Sequence, residues 1–523
     1  MKAMGKKLNA SGETGLNCAH PWIPDCGDGT YRNPILHADY SDPDAIRHGD
    51  DFWMTASSFN CTPGLPILHS LDLVNWTLVN HALKNIPGER YNDVQHGCGV
   101  WAPSIRFHAG RFWIFFPTPD EGIYVTTADD PRGRWSEPHL VQAGKGLIDP
   151  CPLWDDDGRA YLVHAYAQSR SGIKHTLRVC PLSPDGTRLL GEGQIVFQEP
   201  ERHHTIEGPK FLKRDGWYYI LAPAGGVATG WQTVLRSRNI FGPYEDKIVL
   251  EQGGTDINGP HQGALVDTTG GEWWFLHFQD AGLYGRIVHL QPVEWRDGWP
   301  LMGRDQDGNG IGEPVAHFRK PVTAGVSRAT APQTSDEFTS SRLGLQWQWY
   351  ANHQDHWHSL TLRPGWLRMT AQAMPEGGLA QLPGLLLQKL PARTFAVETC
   401  LELAAQSDGL EAGLVVTGGV HAALALRVQG QGSQIVFRCD DHEQIIGKLP
   451  RHCGRLRLKI EEGGVCNFRV LDEDGTNLVV SPEFQACTGR WIGAKVGVYC
   501  ARPGTVVGDG IADFNWFRFV PIG

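Results

Sequence analysis

Between Gly49 and Trp274 a turn followed by an aromatic-rich apolar run recurs five times. The copies are Gly49-Asp50-Asp51-Phe52-Trp53, Gly110-Arg111-Phe112-Trp113, Gly158-Arg159-Ala160-Tyr161, Gly216-Trp217-Tyr218-Tyr219 and Gly271-Glu272-Trp273-Trp274. An earlier apolar stretch precedes each copy, as in Ile46-Arg47-His48 and Ile105-Arg106-Phe107-His108. Two apolar runs joined by a tight turn predict a β-hairpin. The final aromatics lie 60, 48, 58 and 55 residues apart. That length holds four short strands, so the repeat predicts the blades of a five-bladed β-propeller.

From Ser335 onward the pattern changes to short alternating segments such as Ala423-Leu424-Ala425-Leu426-Arg427-Val428 and Leu456-Arg457-Leu458-Lys459-Ile460, separated by Gly or Asp turns. Period-two alternation predicts strands packed on one face, hence a β-sandwich. The expected organisation is all-β. Residues 1–320 form a propeller domain with an N-terminal extension over 1–30, residues 321–334 are a polar linker, and residues 335–523 are a sandwich.

Composition agrees. The chain has 523 residues, more than a single core usually serves, and its 63 Gly, 34 Pro and 19 Trp favour turn-rich β structure over helical bundles. A net charge of -10 without any Lys/Arg cluster argues against nucleic acid as a partner. No apolar run is long enough to span a bilayer, and Lys2, Lys6 and Lys7 are followed by no signal-like apolar segment. The expectation is a cytoplasmic protein without membrane contact, with secretion open if a leader was trimmed. Twelve cysteines without a CxxC pair read as free thiols. Asp305-Gln306-Asp307-Gly308-Asn309-Gly310 opens like an EF-hand loop, but Ala316 stands where the bidentate Glu is needed, so it reads as a turn.

Counting back from the five aromatics by 11, 11, 12, 12 and 13 residues reaches Asp42, Ala102 in Trp101-Ala102-Pro103, Asp149, Glu207 and His261. If each hairpin is the inner part of a blade, these positions converge on one end of the channel. Proline beside an acid favours extended backbone and also makes ordinary turns. Three acids in equivalent repeat positions point instead to one site. Paired carboxylates in divergent environments are the machinery of glycoside hydrolysis, and Phe59 and Trp101 would offer apolar faces to a sugar ring.

Asn33-Pro34-Ile35-Leu36, Tyr40-Ser41-Asp42-Pro43-Asp44, Pro63-Gly64-Leu65-Pro66-Ile67-Leu68-His69-Ser70, Asp72-Leu73-Val74-Asn75-Trp76, Trp101-Ala102-Pro103-Ser104-Ile105-Arg106 and Glu207-Gly208-Pro209 resemble glycoside hydrolase family 43. Ser335-Asp336-Glu337-Phe338, Leu345-Gln346-Trp347-Gln348-Trp349 and Ala512-Asp513-Phe514-Asn515-Trp516-Phe517 resemble the concanavalin or jelly-roll-like accessory domain of its β-xylosidases and α-L-arabinofuranosidases.

The resemblance implies an inverting, exo-acting hydrolase of pentose-containing oligosaccharides. In it Asp42 is the general base, Glu207 the general acid, and Asp149 orients Glu207 and modulates its pKa. It also implies sugar contacts from Phe59, Trp101, Ala102, Ile148 and Arg286, and places His261 in the channel beside calcium or water, with a satisfied core histidine as the alternative. Glu337 and Asp513 are candidate ligands for a second calcium in the sandwich, or plain solvated acids. The segment from Tyr350 to Trp357 is a candidate lid. Asn60-Cys61-Thr62 and Ile148 depart from the family pattern, which leaves the preferred pentose open. An endo-arabinanase and a non-catalytic carbohydrate-binding propeller remain as alternatives, and the oligomeric state, homo-oligomer included, stays open.

Overall fold

The computed structural model describes residues 22–325, 328–404, 408–503 and 510–522. Most of the expected N-terminal extension, residues 1–21, lies outside the described residues. Five four-stranded antiparallel sheets form the propeller. Their first strands are Asp44–His48, Ser104–His108, Leu147–Trp154, Lys210–Arg214 and His261–Asp267. The first strand of blade one contacts those of blades two and five, those of blades two, three and four touch in sequence, and the first strand of blade five contacts the second strand of blade four, so the ring closes.

The repeated aromatics explain why the blades stack. Trp53 of blade one packs edge-on against Phe112 of blade two, 6.0 Å between ring centroids. Trp113 meets Trp154 of blade three at 5.3 Å, and Tyr161 meets Phe241 of blade four at 5.7 Å. Tyr219 meets Trp295 of blade five at 5.5 Å, and Trp274 meets Tyr31 of the closing strand at 6.3 Å. One large ring per blade thus seals each junction, mostly edge-to-face, a geometry that contributes about 0.5–1.5 kcal/mol beyond area burial.

The ring is latched by its two ends. Thr30–Arg32 pairs antiparallel with His317–Arg319, and Leu36 bridges Val288 of blade five. Asn33 donates to the Leu290 and Val315 carbonyls and accepts from the Leu290 amide.

Downstream, two eight-stranded sheets face each other across an apolar core that includes Trp347, Leu414, Leu424, Phe468 and Phe514. Their alternating burial, as in Cys453–Ile460, is the half-buried strand pattern read in the sequence. The two domains share a further apolar cluster, in which Phe59, Cys61 and Val94 of the propeller pack with Tyr350, Leu382, Leu385 and Tyr499 of the sandwich.

The expected lid is part of this junction. Asn60 donates to the Tyr350 carbonyl, Thr62 to the Ala351 carbonyl, and Asn352 exchanges hydrogen bonds with Ile86 and the Tyr91 carbonyl. With Tyr350, Ala351 and Asn352 buried, the segment is a strut between domains and not a lid. Every cysteine among the described residues is a free thiol, and among them no helix is long and apolar enough to cross a membrane.

Candidate active site

Each of the three acids sits where the backbone leaves the ordinary strand conformation. Asp42 (φ 53) and Asp149 (φ 57) occupy the left-handed region, which for a non-glycine residue costs on the order of 1–3 kcal/mol. Asp149 lies in a β-bulge of its strand pair, between Ile148 and Cys151, the device by which sheets re-aim a side chain. Glu207 is flanked by Thr205 (φ 55) and Gly208 (φ 59). A Cβ on Gly208 would lie 2.8 Å from the Gln262 side chain, which would have to shift, and the positive φ there favours glycine.

Asp42 is buried and fully bonded. Its Oδ2 accepts from the hydroxyls of Ser41 (2.8 Å) and Ser57 (2.5 Å), and its Oδ1 accepts from Arg286 Nη1 at 2.8 Å. The same nitrogen donates to Ser41 Oγ at 2.9 Å. A guanidinium and two hydroxyls aimed at one carboxyl is the bonding of an ionised carboxylate.

The Asp149 carboxyl accepts from the Gly208 amide at 2.7 Å, which ties blade three to the residue following Glu207. Burial, then the negative charge of Glu207, hold the Asp149 carboxyl well above the ordinary carboxylate range; Asp42 adds to this, while the Gly208 amide and Lys210 oppose it. Like charges this close resist joint ionisation, so protons are taken up by the pair. Glu207 itself keeps 28% of its side chain exposed, as a group that must reach a ligand would. Its Oε1 lies 3.2 Å from Nε2 of His261. His261 is fully buried, and its Nδ1 has no hydrogen-bond partner among the described residues.

The remaining expected positions divide. Trp101 is half-buried, held by Nε1 donation to the Gly97 carbonyl (3.2 Å) and by Arg170 over its ring at 5.2 Å. Phe59, Ala102 and Ile148 are buried walls; Phe59 backs Trp101 at 6.5 Å. Glu337 is paired with Arg518, and Asp513 with Arg363 and Arg368. These two acids do not fit a sandwich calcium site, because guanidinium groups already occupy their oxygens. Among the described residues no group of three or more His, Cys, Asp or Glu is arranged to hold a metal directly.

The sequence reading missed one element. Thr488 to Ile492 of the sandwich reaches over the propeller, where Trp491 stands edge-on to Trp101 at 6.4 Å and Gly493 donates to Asp39. A cleft of about 640 Å³, counting its opening to solvent, lies between Arg286, Asp280, Arg490 and Trp491. The available signal was an isolated Gly489-Arg490-Trp491 in a polar turn.

Residues 31–300 match glycosyl hydrolases family 43, and residues 335–520 match the beta xylosidase C-terminal concanavalin A-like domain. The chain belongs to glycosyl hydrolases family 43. It is a glycosidase of the family's β-xylosidase and arabinofuranosidase group. A relative from Xylanibacter ruminicola, provisionally named a beta-xylosidase, is 47% identical, covering 83% of this chain and 80% of the relative. The "Non-reducing end alpha-L-arabinofuranosidase BoGH43B" of Bacteroides ovatus is 30% identical, covering 94% of each chain. The crystal structure of the family 43 protein BlXynB from Bacillus licheniformis superposes with a TM-score of 0.81 at 25% identity, over 94% of this chain and 100% of that one.

Proposed function

We propose that this family 43 enzyme removes terminal pentoses from xylan-derived oligosaccharides by inversion, acting both as a β-xylosidase and as an α-L-arabinofuranosidase. The observation that carries this reading is the differing surroundings of the acids. Asp42 is held as a carboxylate by Arg286, Ser41 and Ser57, whereas Glu207 is partly exposed and electrostatically coupled to Asp149.

In this mechanism Asp42 takes a proton from water as the water attacks the anomeric carbon. Glu207 delivers a proton to the leaving oxygen, and Asp149 positions Glu207 and keeps a proton available to the pair. Trp101 and Trp491 flank the mouth from the two domains, which supports a pocket for chain ends over an open groove. Xylopyranose and arabinofuranose are both pentoses that present related hydroxyls to such a site.

The test uses aryl β-xylosides and aryl α-L-arabinofuranosides, with NMR following the first-formed anomer. Inversion and turnover of both are expected; a retained anomer would overturn the mechanism, and turnover of only one the dual activity. Glu207→Gln should spare aryl glycosides with good leaving groups far more than xylobiose, while Asp42→Asn should abolish both.

Calcium beside His261 belongs to the same proposal. The orphaned Nδ1 fits a water of a cation's shell, and the ion would supply positive charge near Glu207. Chelation followed by Ca²⁺ addition, read as the thermal midpoint, tests it: a midpoint that neither step moves would remove the ion.

A further inference from the structure

Away from the acids, a cavity lies between blade one, the linker and the sandwich, with about 580 Å³ of atom-free space counting its mouth. Its lining holds His37, His81, Gln346, Gln388 and Lys389 and no Asp or Glu. Five buried polar atoms of these residues have no hydrogen-bond partner among the described residues: both ring nitrogens of His37, Nδ1 of His81, Nε2 of Gln388 and Oε1 of Gln346. Both His37 and Gln388 are only 3% exposed. Buried polar groups are normally paired, at a cost of about 1–3 kcal/mol when they are not, so so many orphans facing one space imply an occupant.

The charge at the site is one-sided. Lys389 donates to the uncharged Gln348 Oε1 at 3.3 Å, lies 5.2 Å from the Tyr40 ring, and forms no ion pair with a carboxylate among the described residues. Its neighbour across the sheet is Lys495, itself buried. The nearest carboxylate, Asp39, is already bonded by the amides of Arg286 and Gly493. Two lysines therefore face one committed carboxylate, and the Gln388 amide adds an unused donor.

We propose that this interdomain cavity binds a small oxyanion, a carboxylate or a phosphate, held by Lys389, Gln388 and His37. A bound anion would complete the junction between propeller and sandwich and so stabilise their docking. The titratable groups facing Lys389 are Lys495, Asp39, Cys61 and His81. Burial and then Lys495 push the Lys389 ammonium down to about 7, while burial holds His37 and His81 neutral at about 4 and 3. Lys389 is charged below that value and loses its charge above it, so affinity for an anion of constant charge should fall as pH rises from about 6 to about 8.

The experiment titrates the full-length protein with phosphate, acetate or glucuronate at constant ionic strength and reads the thermal midpoint, since a ligand bound to the native state alone raises it with concentration. A saturable rise is expected with at least one anion, and for acetate or glucuronate, whose charge is constant over the range, binding should be about tenfold tighter at pH 6 than at pH 8. Phosphate alone or the carboxylates alone would identify the source. Lys389→Met should weaken binding at least about tenfold, as loss of a charged hydrogen bond implies; if that variant fails to fold, Gln388→Leu, which keeps the charge, should weaken it several-fold. No saturable rise with any of the three anions, or equal rises in wild type and variant, overturns the proposal and leaves a cavity filled with water.

Discussion

Trp491 of the sandwich stands edge-on to Trp101 of the propeller, with ring centroids 6.4 Å apart. The sandwich thus also walls the cleft beside Arg286, the residue bonded to Asp42. Because Trp491 is 46% exposed, its loss should matter to ligand binding more than to folding. Trp491→Ala is expected to raise KM for xylobiose about 2- to 12-fold, from the ~0.5–1.5 kcal/mol an aromatic contact contributes, with little change in thermal midpoint. An unaltered KM would remove Trp491 from the pocket.

Asp149 carries a stability cost that its neighbours impose. Its folded-state pKa is raised by burial and by Glu207, so the native state holds a proton that the unfolded chain releases near its ordinary value. Stability is therefore full below about pH 4 and declines as pH rises towards the folded value. Asp149→Asn keeps an acceptor for the Gly208 amide without the charge. It should stabilise the protein at pH 7 to 8 by on the order of 1–2 kcal/mol and make no difference near pH 3, while activity falls and the alkaline limb of kcat/KM moves to lower pH. Equal gains in stability at both pH values would sink this account.

Arg286 is the only cation bonded to Asp42 among the described residues. Arg286→Ala leaves a buried carboxylate unpaired, which costs about 3–5 kcal/mol, and should lower both the thermal midpoint and kcat/KM. Arg286→Lys restores charge but not the reach to both Ser41 and Asp42, and should recover only part of each. If the alanine variant melts like wild type, the ion pair is not structural.

Ending the chain at residue 334 would bare Phe59, Cys61 and Val94, which the sandwich now covers, along with the backbone partners of Asn60 and Thr62. The isolated propeller should aggregate or melt well below the full chain. A soluble, fully active propeller would show that the sandwich is dispensable to both folding and the site.

How much of this was legible in advance depended on whether chemistry followed the repeat. Turn-plus-aromatic spacing exposed the blades because Trp53, Tyr161, Tyr219 and Trp274 each seal a junction, and the same register led to Asp42, Asp149, Glu207 and His261. Ser57 meets Asp42 from the loop after Asp51–Thr55 and Arg286 from a strand of blade five, and of these only Arg286 was reachable, through family resemblance. Trp491 was invisible because a turn of another domain delivers it, with no periodic signal to mark it. Asp513 and Glu337 misled for the opposite reason, since their arginine partners lie at distances along the chain that no local pattern reveals.

The latch between Thr30–Arg32 and His317–Arg319 also ties the first blade, where Asp42 lies, to the end of the fifth. Arg286 reaches Asp42 across 244 positions of sequence, one of the non-local contacts that raise contact order and slow folding. A chain still emerging from synthesis holds Asp42, Asp149 and Glu207 before it holds the arginine that secures the first of them. The acids of the earlier blades thus depend on a residue of the fifth, and the bonding of Asp42 is complete only when that blade is in place.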